Sequence, residues 1–171
     1  PGNFPGVGFV AAGGTYRQRA NLEAIVSKGV ELDARLPLSN DASVRFAYSY
    51  VDAEVRGAGA SAALDGLRPA QVPKHSANVS LEYLPEQSGW QAIATLRYTA
   101  GQFEDDANSR RLKSALAADA VLYHQFESGF ALELRGENLF NARVEAAISS
   151  AGIIERASPR TIWLGVRWNF D

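Results

Sequence analysis

The chain has 171 residues, opens on Pro1 and contains neither cysteine nor methionine, so disulfides, thiolate metal sites and cysteine nucleophiles are excluded, and it reads as a piece of a longer protein. Its 17 basic and 19 acidic residues nearly cancel, which leaves no electrostatic footprint for nucleic-acid binding. No apolar run approaches the ~18 residues of a membrane helix and no basic-then-apolar leader opens the chain, but a membrane β-barrel passes that test because its two faces alternate.

In chain order, Asn3 to Asn21 is predicted as a hairpin of poor alternation, with Gly13-Gly14 between Val10 and Tyr16. Ala24 to Leu36 sets Val26, Val30, Leu32, Ala34 and Leu36 against Ser27, Glu31, Asp33 and Arg35, with Ile25 and Lys28 interrupting, and so predicts a period-two strand. Pro37 to Asp41 supplies turn residues. Ser43 to Val55 then answers with Val44, Phe46, Tyr48 and Tyr50 on one face. Gly57 to Lys74, about 18 residues rich in Gly, Ala and Pro, reads as a long functional or mobile loop.

His75 to Leu84 and Trp90 to Ala100 form the next pair around the turn Pro85 to Gly89, and Gly101 to Lys113 is a second long loop. Leu116 to Phe126 and Phe130 to about Phe140 follow around Glu127-Ser128-Gly129. The last strand, Thr161 to Phe170, places Ile162, Leu164, Val166, Trp168 and Phe170 on one face. Short turns and long loops alternate, as in a barrel with all its long loops at one end. The other face carries Glu31, Asp33, Arg35, Arg45, Glu82, Arg97, Glu133, Arg135, Glu137 and Arg167. Such a face suits a wet lumen better than the packed interior of a small soluble barrel. Trp90, Tyr98, Tyr83, Trp168 and Phe170 fall near strand ends, where interfacial aromatics sit. The fold class is all-β, an antiparallel up-and-down transmembrane β-barrel, with 7 to 9 strands expected in this chain.

Three stretches resemble the C-terminal barrel of TonB-dependent outer-membrane receptors. Glu137-Asn138-Leu139-Phe140-Asn141 is similar to that family's Asn-Leu-Phe-Asp signature, with Asn141 where Asp is commoner, followed by a loop from Gly152 to Pro159-Arg160. Ser27-Lys28-Gly29-Val30-Glu31-Leu32 is similar to its Gly-Val-Glu strand opening. Gly66, Arg68, Pro69, Pro73 and His75 resemble its loop-to-strand passage. The resemblance implies the C-terminal part of a barrel of about 22 strands closed around a plug. It also implies uptake of a scarce ligand such as a ferric siderophore or cobalamin, energy from the TonB system, outer-membrane lipid as surroundings, and location in the outer membrane of a Gram-negative bacterium. No plug or TonB box is expected within residues 1–171. The terminal aromatic strand is the implied signal to the barrel-insertion machinery, with Phe170 as its aromatic, although Asp171 follows it.

Among single residues, Gly29, Glu31, Asn138, Leu139, Phe140, Pro159, Arg160 and Phe170 are expected to be structural, since Asn supports turn geometry and Pro fixes the backbone where a ladder begins. Arg68, Arg110 and Arg111 are the candidate ligand-facing loop residues, because guanidinium pairs with carboxylate and catecholate oxygens; a solvated charge run is the plainer alternative. Glu104-Asp105-Asp106 with Asn108 offers oxygen ligands at a spacing that fits no EF-hand, and His75 and His124 lack a partner carboxylate at useful spacing, so no metal or cofactor is expected. No Gly-x-Ser-x-Gly elbow is present and no enzyme is expected. Two alternatives remain open: a self-contained outer-membrane barrel of about eight strands that the first hairpin completes, and a soluble barrel that binds a small molecule inside.

Overall fold

A computed structural model of the chain describes residues 1–4, 8–14 and 22–168. Its strands are β1 (Gly2–Phe4), β2 (Gly8–Val10), β3 (Ala24–Pro37), β4 (Ala42–Arg56), β5 (His75–Tyr83), β6 (Trp90–Thr99), β7 (Gln102–Phe103), β8 (Arg111–Leu112), β9 (Ala115–Gln125), β10 (Phe130–Glu137), β11 (Glu145–Ile148), β12 (Ile154–Arg156) and β13 (Thr161–Trp168). Seven of them form one antiparallel sheet in the order β13-β10-β9-β6-β5-β4-β3. Each strand pairs with its predecessor in that series because each pair is joined by a turn or by a loop that returns to the same edge.

The tight turns have local causes. At 38–41 the Ser39 hydroxyl accepts the Asp41 and Ala42 N–H groups at 3.2 and 3.1 Å, while the Leu38 N–H reaches the Ala42 carbonyl at 2.8 Å. Residues 84–89 and 126–129 make the other two short connections. The loops at the opposite end, 57–74, 100–114 and 138–160, carry structure of their own. They hold a short 3-10 helix, Gly59–Leu64, and the hairpins β7–β8 and β11–β12.

Three expectations are revised. The strand that begins at Phe130 stops at Glu137 rather than near Phe140, because Asn138 adopts φ 49° and turns the chain out of the ladder. The first hairpin pairs Gly2–Phe4 with Gly8–Val10, so Gly13-Gly14 lies beyond it, where the Gly14 N–H closes a turn onto the Ala11 carbonyl; residues 5–7 and 15–21 of that predicted hairpin lie outside the described residues. Among the described residues that hairpin pairs only with itself, and the seven-stranded sheet stays open between β13 and β3, which overturns the closed eight-stranded barrel.

The buried apolar set among the described residues is small: Ala53, Val55, Leu112, Ala117, Ala118 and Ala131. Large apolar side chains instead stand exposed, most of them on one face, with Leu164 at 73% and Val30 at 63%. The sheet therefore buries no conventional core. Its register nevertheless aligns the apolar face in rows, for example Leu36, Val44, Leu81, Ala94, Ala120, Gly136 and Ile162 across all seven strands. A one-residue slip anywhere would send a strand's apolar set to the polar side.

Candidate functional site

The apolar face has two aromatic borders. Near the short turns, Trp90 stacks on His124 at 4.1 Å, His124 meets Phe126 edge-on at 4.3 Å, and Phe130 and Trp168 continue the row at 5.4 and 5.8 Å. Toward the long loops stand Tyr48, Tyr50, His75 and Tyr98, with the Tyr48 hydroxyl and His75 Nδ1 hydrogen-bonded at 2.8 Å. His75 and His124 thus serve as aromatic members of these borders. Between the borders, among the described residues, no Asp, Glu, Lys or Arg shares this face. From Trp90 to Tyr98 the band runs eight residue steps, or about 27 Å along the strand, which a tilt of roughly 40° reduces to about 20 Å.

The polar face is a wall of charges, many of them paired. Glu82 accepts Arg45 Nε at 2.8 Å and lies 3.5 Å from Arg35 Nη2, and the Ser43 hydroxyl donates to it at 3.2 Å while accepting Arg35 Nε at 3.2 Å. Arg97 Nε donates to Asp119 at 2.7 Å, and Arg135 lies 2.7 Å from Glu137. Glu31 stands on the same wall opposite Ser49, without an ion-pair partner among the described residues. Ile93, Val121 and Trp163 also share this face in one row with Glu82 and Arg135, so the wall is not wholly polar. Strand alternation alone announces them, though the charges around them draw the eye first.

The signature residues form a clasp at the foot of the third long loop. Asn138, 5% exposed, gives its backbone N–H to Asp119 at 2.9 Å and accepts the Ala142 N–H at 2.8 Å. Its amide nitrogen donates to the carbonyls of Ala142 and Ser158 at 2.9 and 3.1 Å, so one side chain holds both the departing and returning limbs. The Asn141 carboxamide oxygen accepts the Arg160 N–H at 3.2 Å, just after Pro159 and before β13 begins. The Leu139 N–H bonds the Ala118 carbonyl at 2.7 Å, and its side chain covers Gly136, where a Cβ would lie 2.5 Å from Leu139 Cδ2. Phe140 is exposed. Gly29 is set so that a Cβ there would collide with the Tyr50 carbonyl. Phe170 lies outside the described residues.

The candidate ligand-facing arginines part company. The Arg68 backbone exchanges two bonds with the Asn108 side chain at 2.9 and 2.7 Å, and its guanidinium donates to the Val72 carbonyl and lies 5.7 Å from the centre of the Phe103 ring. Arg110 donates to the Ile148 carbonyl at 2.9 Å and lies 3.7 Å from Asp105. Both therefore lace the three loops into one cap. Arg111 is exposed and has no side-chain partner among the described residues. The Asp105 carboxyl is held below the ordinary aspartate range by hydrogen bonds from the Ser109 hydroxyl and the Arg110 N–H. Its oxygens and the Asn108 amide are thus committed within the cap, and no group of three or more metal-ligating side chains gathers among the described residues.

An open antiparallel sheet with a charge-free face between aromatic borders, a wall of paired charges behind it and laced loops at one end is the architecture of one sector of a large up-and-down barrel. The chain belongs to the TonB-dependent receptor family: the family model described as TonB dependent receptor-like, beta-barrel, matches residues 2–139. It is 31% identical over 163 residues to the ferrioxamine B receptor of Salmonella typhimurium, covering 91% of this chain and 22% of that protein. It is also 32% identical over 130 residues to the ferrichrome outer membrane transporter/phage receptor of Escherichia coli, covering 72% and 17%. The chain thus spans about a fifth of the length of these relatives. Among solved structures it resembles the ferric yersiniabactin uptake receptor FyuA from Yersinia pestis, with a TM-score of 0.74 at 19% identity over 86% of this chain and 24% of that one. The unliganded ferric citrate transporter FecA gives a TM-score of 0.68 at 22% identity over 82% and 23%. At those identities the structures speak for the fold. The family assignment removes the soluble ligand-binding barrel as a reading of this chain.

Proposed function

We propose that the chain is a C-terminal sector of a receptor barrel that imports a ferric siderophore across the outer membrane of a Gram-negative bacterium. The charge-free apolar face faces lipid, the paired-charge wall lines the lumen, and the laced loops cap the outer mouth. The observation that carries this is the charge-free band bounded by Trp90, Trp168, Tyr98 and Tyr50, whose height of about 20 Å lies within the roughly 25 Å apolar belt of outer-membrane barrels. The named relatives, receptors for ferrioxamine B and ferrichrome, favour a ferric siderophore over cobalamin as cargo. In the full-length protein a plug and the TonB system complete the machinery, and the last strand presents itself to the barrel-insertion apparatus. Neither chemistry of its own nor a bound cofactor is part of the role. Within the cap, Arg111 is the ligand-facing group, and Arg68 and Arg110 hold the loops that present it.

The test is uptake of radiolabelled ferric ferrioxamine B by cells that depend on the full-length protein. Deleting residues 101–113 is expected to abolish uptake and Arg111→Ala to lower it severalfold, with receptor abundance unchanged. Normal uptake in the deletion variant would remove the cap from the pathway.

A further inference from the structure

The polar wall and the third long loop meet in one carboxylate. Asp119 stands on the polar face of β9, and its two oxygens serve different parts of the molecule. One accepts Arg97 Nε from the neighbouring strand β6 at 2.7 Å, and the other accepts the Asn138 N–H at the foot of the loop at 2.9 Å. Arg97 has no other hydrogen-bond or ion-pair partner among the described residues, and its side chain is more than half exposed. Arg135, a second cation on this part of the wall, is committed to Glu137 at 2.7 Å.

Arg97 thus decides whether Asp119 has a partner of opposite charge. The Asp119 side chain is only 24% exposed, and a carboxylate so placed that loses its cation turns toward water. Turning withdraws the acceptor from the Asn138 N–H. Asn138 depends on that acceptor: its backbone is left-handed at φ 49°, the residue is nearly buried, and its carboxamide is what ties Ala142 to Ser158. Farther out, Arg110 on the Ile148 carbonyl and the Lys113 N–H on Glu145, both at 2.9 Å, join this loop to the second one. A continuous path of bonds therefore runs from Arg97 into the cap. On the polar side a cavity of about 250 Å³, lined by Arg97, Thr99, Glu137, Asn138, Val144 and Ser158, leaves room for the guanidinium to be approached.

We infer that Asp119 is a positioning residue that passes the bonding state of Arg97, on the lumen wall, to the foot of the third loop. While Arg97 stays on Asp119 the clasp is held. A rival carboxylate that draws Arg97 away loosens the loop and, through Arg110 and Lys113, the cap. This rests on the assignment of the polar face to the lumen made above. An Asp119 that only braced the loop would hold it whatever Arg97 did.

Hydrogen exchange in the full-length protein, reconstituted in vesicles, reads the loop directly. Asn78 lies opposite Arg97 in register on β5, on the same face and outside the third loop, so Asn78→Asp offers Arg97 a rival carboxylate without altering the clasp itself. Exchange across 138–160 is expected to speed up about fivefold in Asn78→Asp and in Arg97→Gln, with β5, β6 and β9 unchanged. Asn78→Ala, which brings no charge, and Arg97→Lys, which keeps a cation at Asp119, are expected to exchange as the unsubstituted protein does. In an Asp119→Ala background neither Asn78→Asp nor Arg97→Gln is expected to add anything. Unchanged exchange in Asn78→Asp or Arg97→Gln, equal acceleration by Asn78→Ala, or additive effects in the Asp119→Ala background overturns the relay and leaves the lumen assignment standing. Nitroxide collision data that place residue 97 in lipid overturn that assignment and this inference with it.

Discussion

The apolar and polar faces of the seven-stranded sheet share one backbone and one hydrogen-bond ladder, yet they solve opposite problems. On the polar face every charge must be near a partner or water, and Glu82 with Arg35 and Arg45, or Asp119 with Arg97, show how that is arranged across strands. The apolar face needs no such pairing between its aromatic borders and has no charge to pair. The difference teaches that this sheet is stabilised by matching each face to its own surroundings, with very little buried interior of its own.

The sharpest way to break that contrast is to place one arginine on each side of the same strand in the full-length protein. Ala94→Arg, at mid-band, is expected to cost about 2–4 kcal/mol in denaturant unfolding from lipid vesicles. Thr95→Arg, one residue away on the polar face, is expected to change stability by less than about 1 kcal/mol. Equal costs would erase the distinction between the faces.

Next in size is the clasp that ties the polar face to the third loop. Asn138→Ala removes the acceptor and donor bonds to Ala142 and Ser158 from a nearly buried site, and about 2 kcal/mol is expected. Hydrogen exchange should then speed up across 138–160 while the strands stay protected. Gly136→Ala drives a methyl into Leu139 on the apolar face, for about 1 kcal/mol. Leu139 is a flexible neighbour, so the double variant Gly136→Ala/Leu139→Ala should recover part of the loss in the same unfolding assay. Full additivity of the two single effects would place the contact elsewhere.

The smallest effect is a pH dependence confined to the cap. Because the Asp105 carboxyl titrates below the ordinary aspartate range, its contribution to the cap is fully present above that range and is lost as pH falls through its depressed value. Limited proteolysis within 104–110 should accelerate only under strongly acidic conditions, and Asp105→Asn should flatten that profile.

The strands were largely legible in the sequence because period-two alternation and turn residues are local signals. Thr161 to Trp168, for instance, needs no distant information to be read as a strand with Ile162 and Leu164 on one side. Lys28 shows the limit. In sequence it interrupts an apolar stripe, but the register places it just past the Val30–Tyr50 pair, where the stripe has already ended. The loop contacts were illegible for a different reason: Asn108 grips Arg68 across 40 residues, and nothing near either residue signals the other. The roles of Arg68 and Arg110 in holding the cap together follow from such distant pairings, whereas their charge, which sequence does display, pointed to a ligand. The Asn138 signature fell between these cases, with its turn chemistry readable and its grip on Ser158 not.

The central claim, that alternate residues of one strand face lipid and lumen, is open to a direct measurement. The chain contains no cysteine of its own, so once any cysteine elsewhere in the full-length protein is replaced by serine, single cysteines at 92 through 97 on β6 can each carry a nitroxide in the protein reconstituted in vesicles. Collision with oxygen, which concentrates in lipid, is then compared with collision with a water-soluble nickel chelate. Labels at 92, 94 and 96 should respond to oxygen and be shielded from nickel, while those at 93, 95 and 97 should lose the oxygen response. A flat profile, or one with nickel reaching the even positions, would contradict the account.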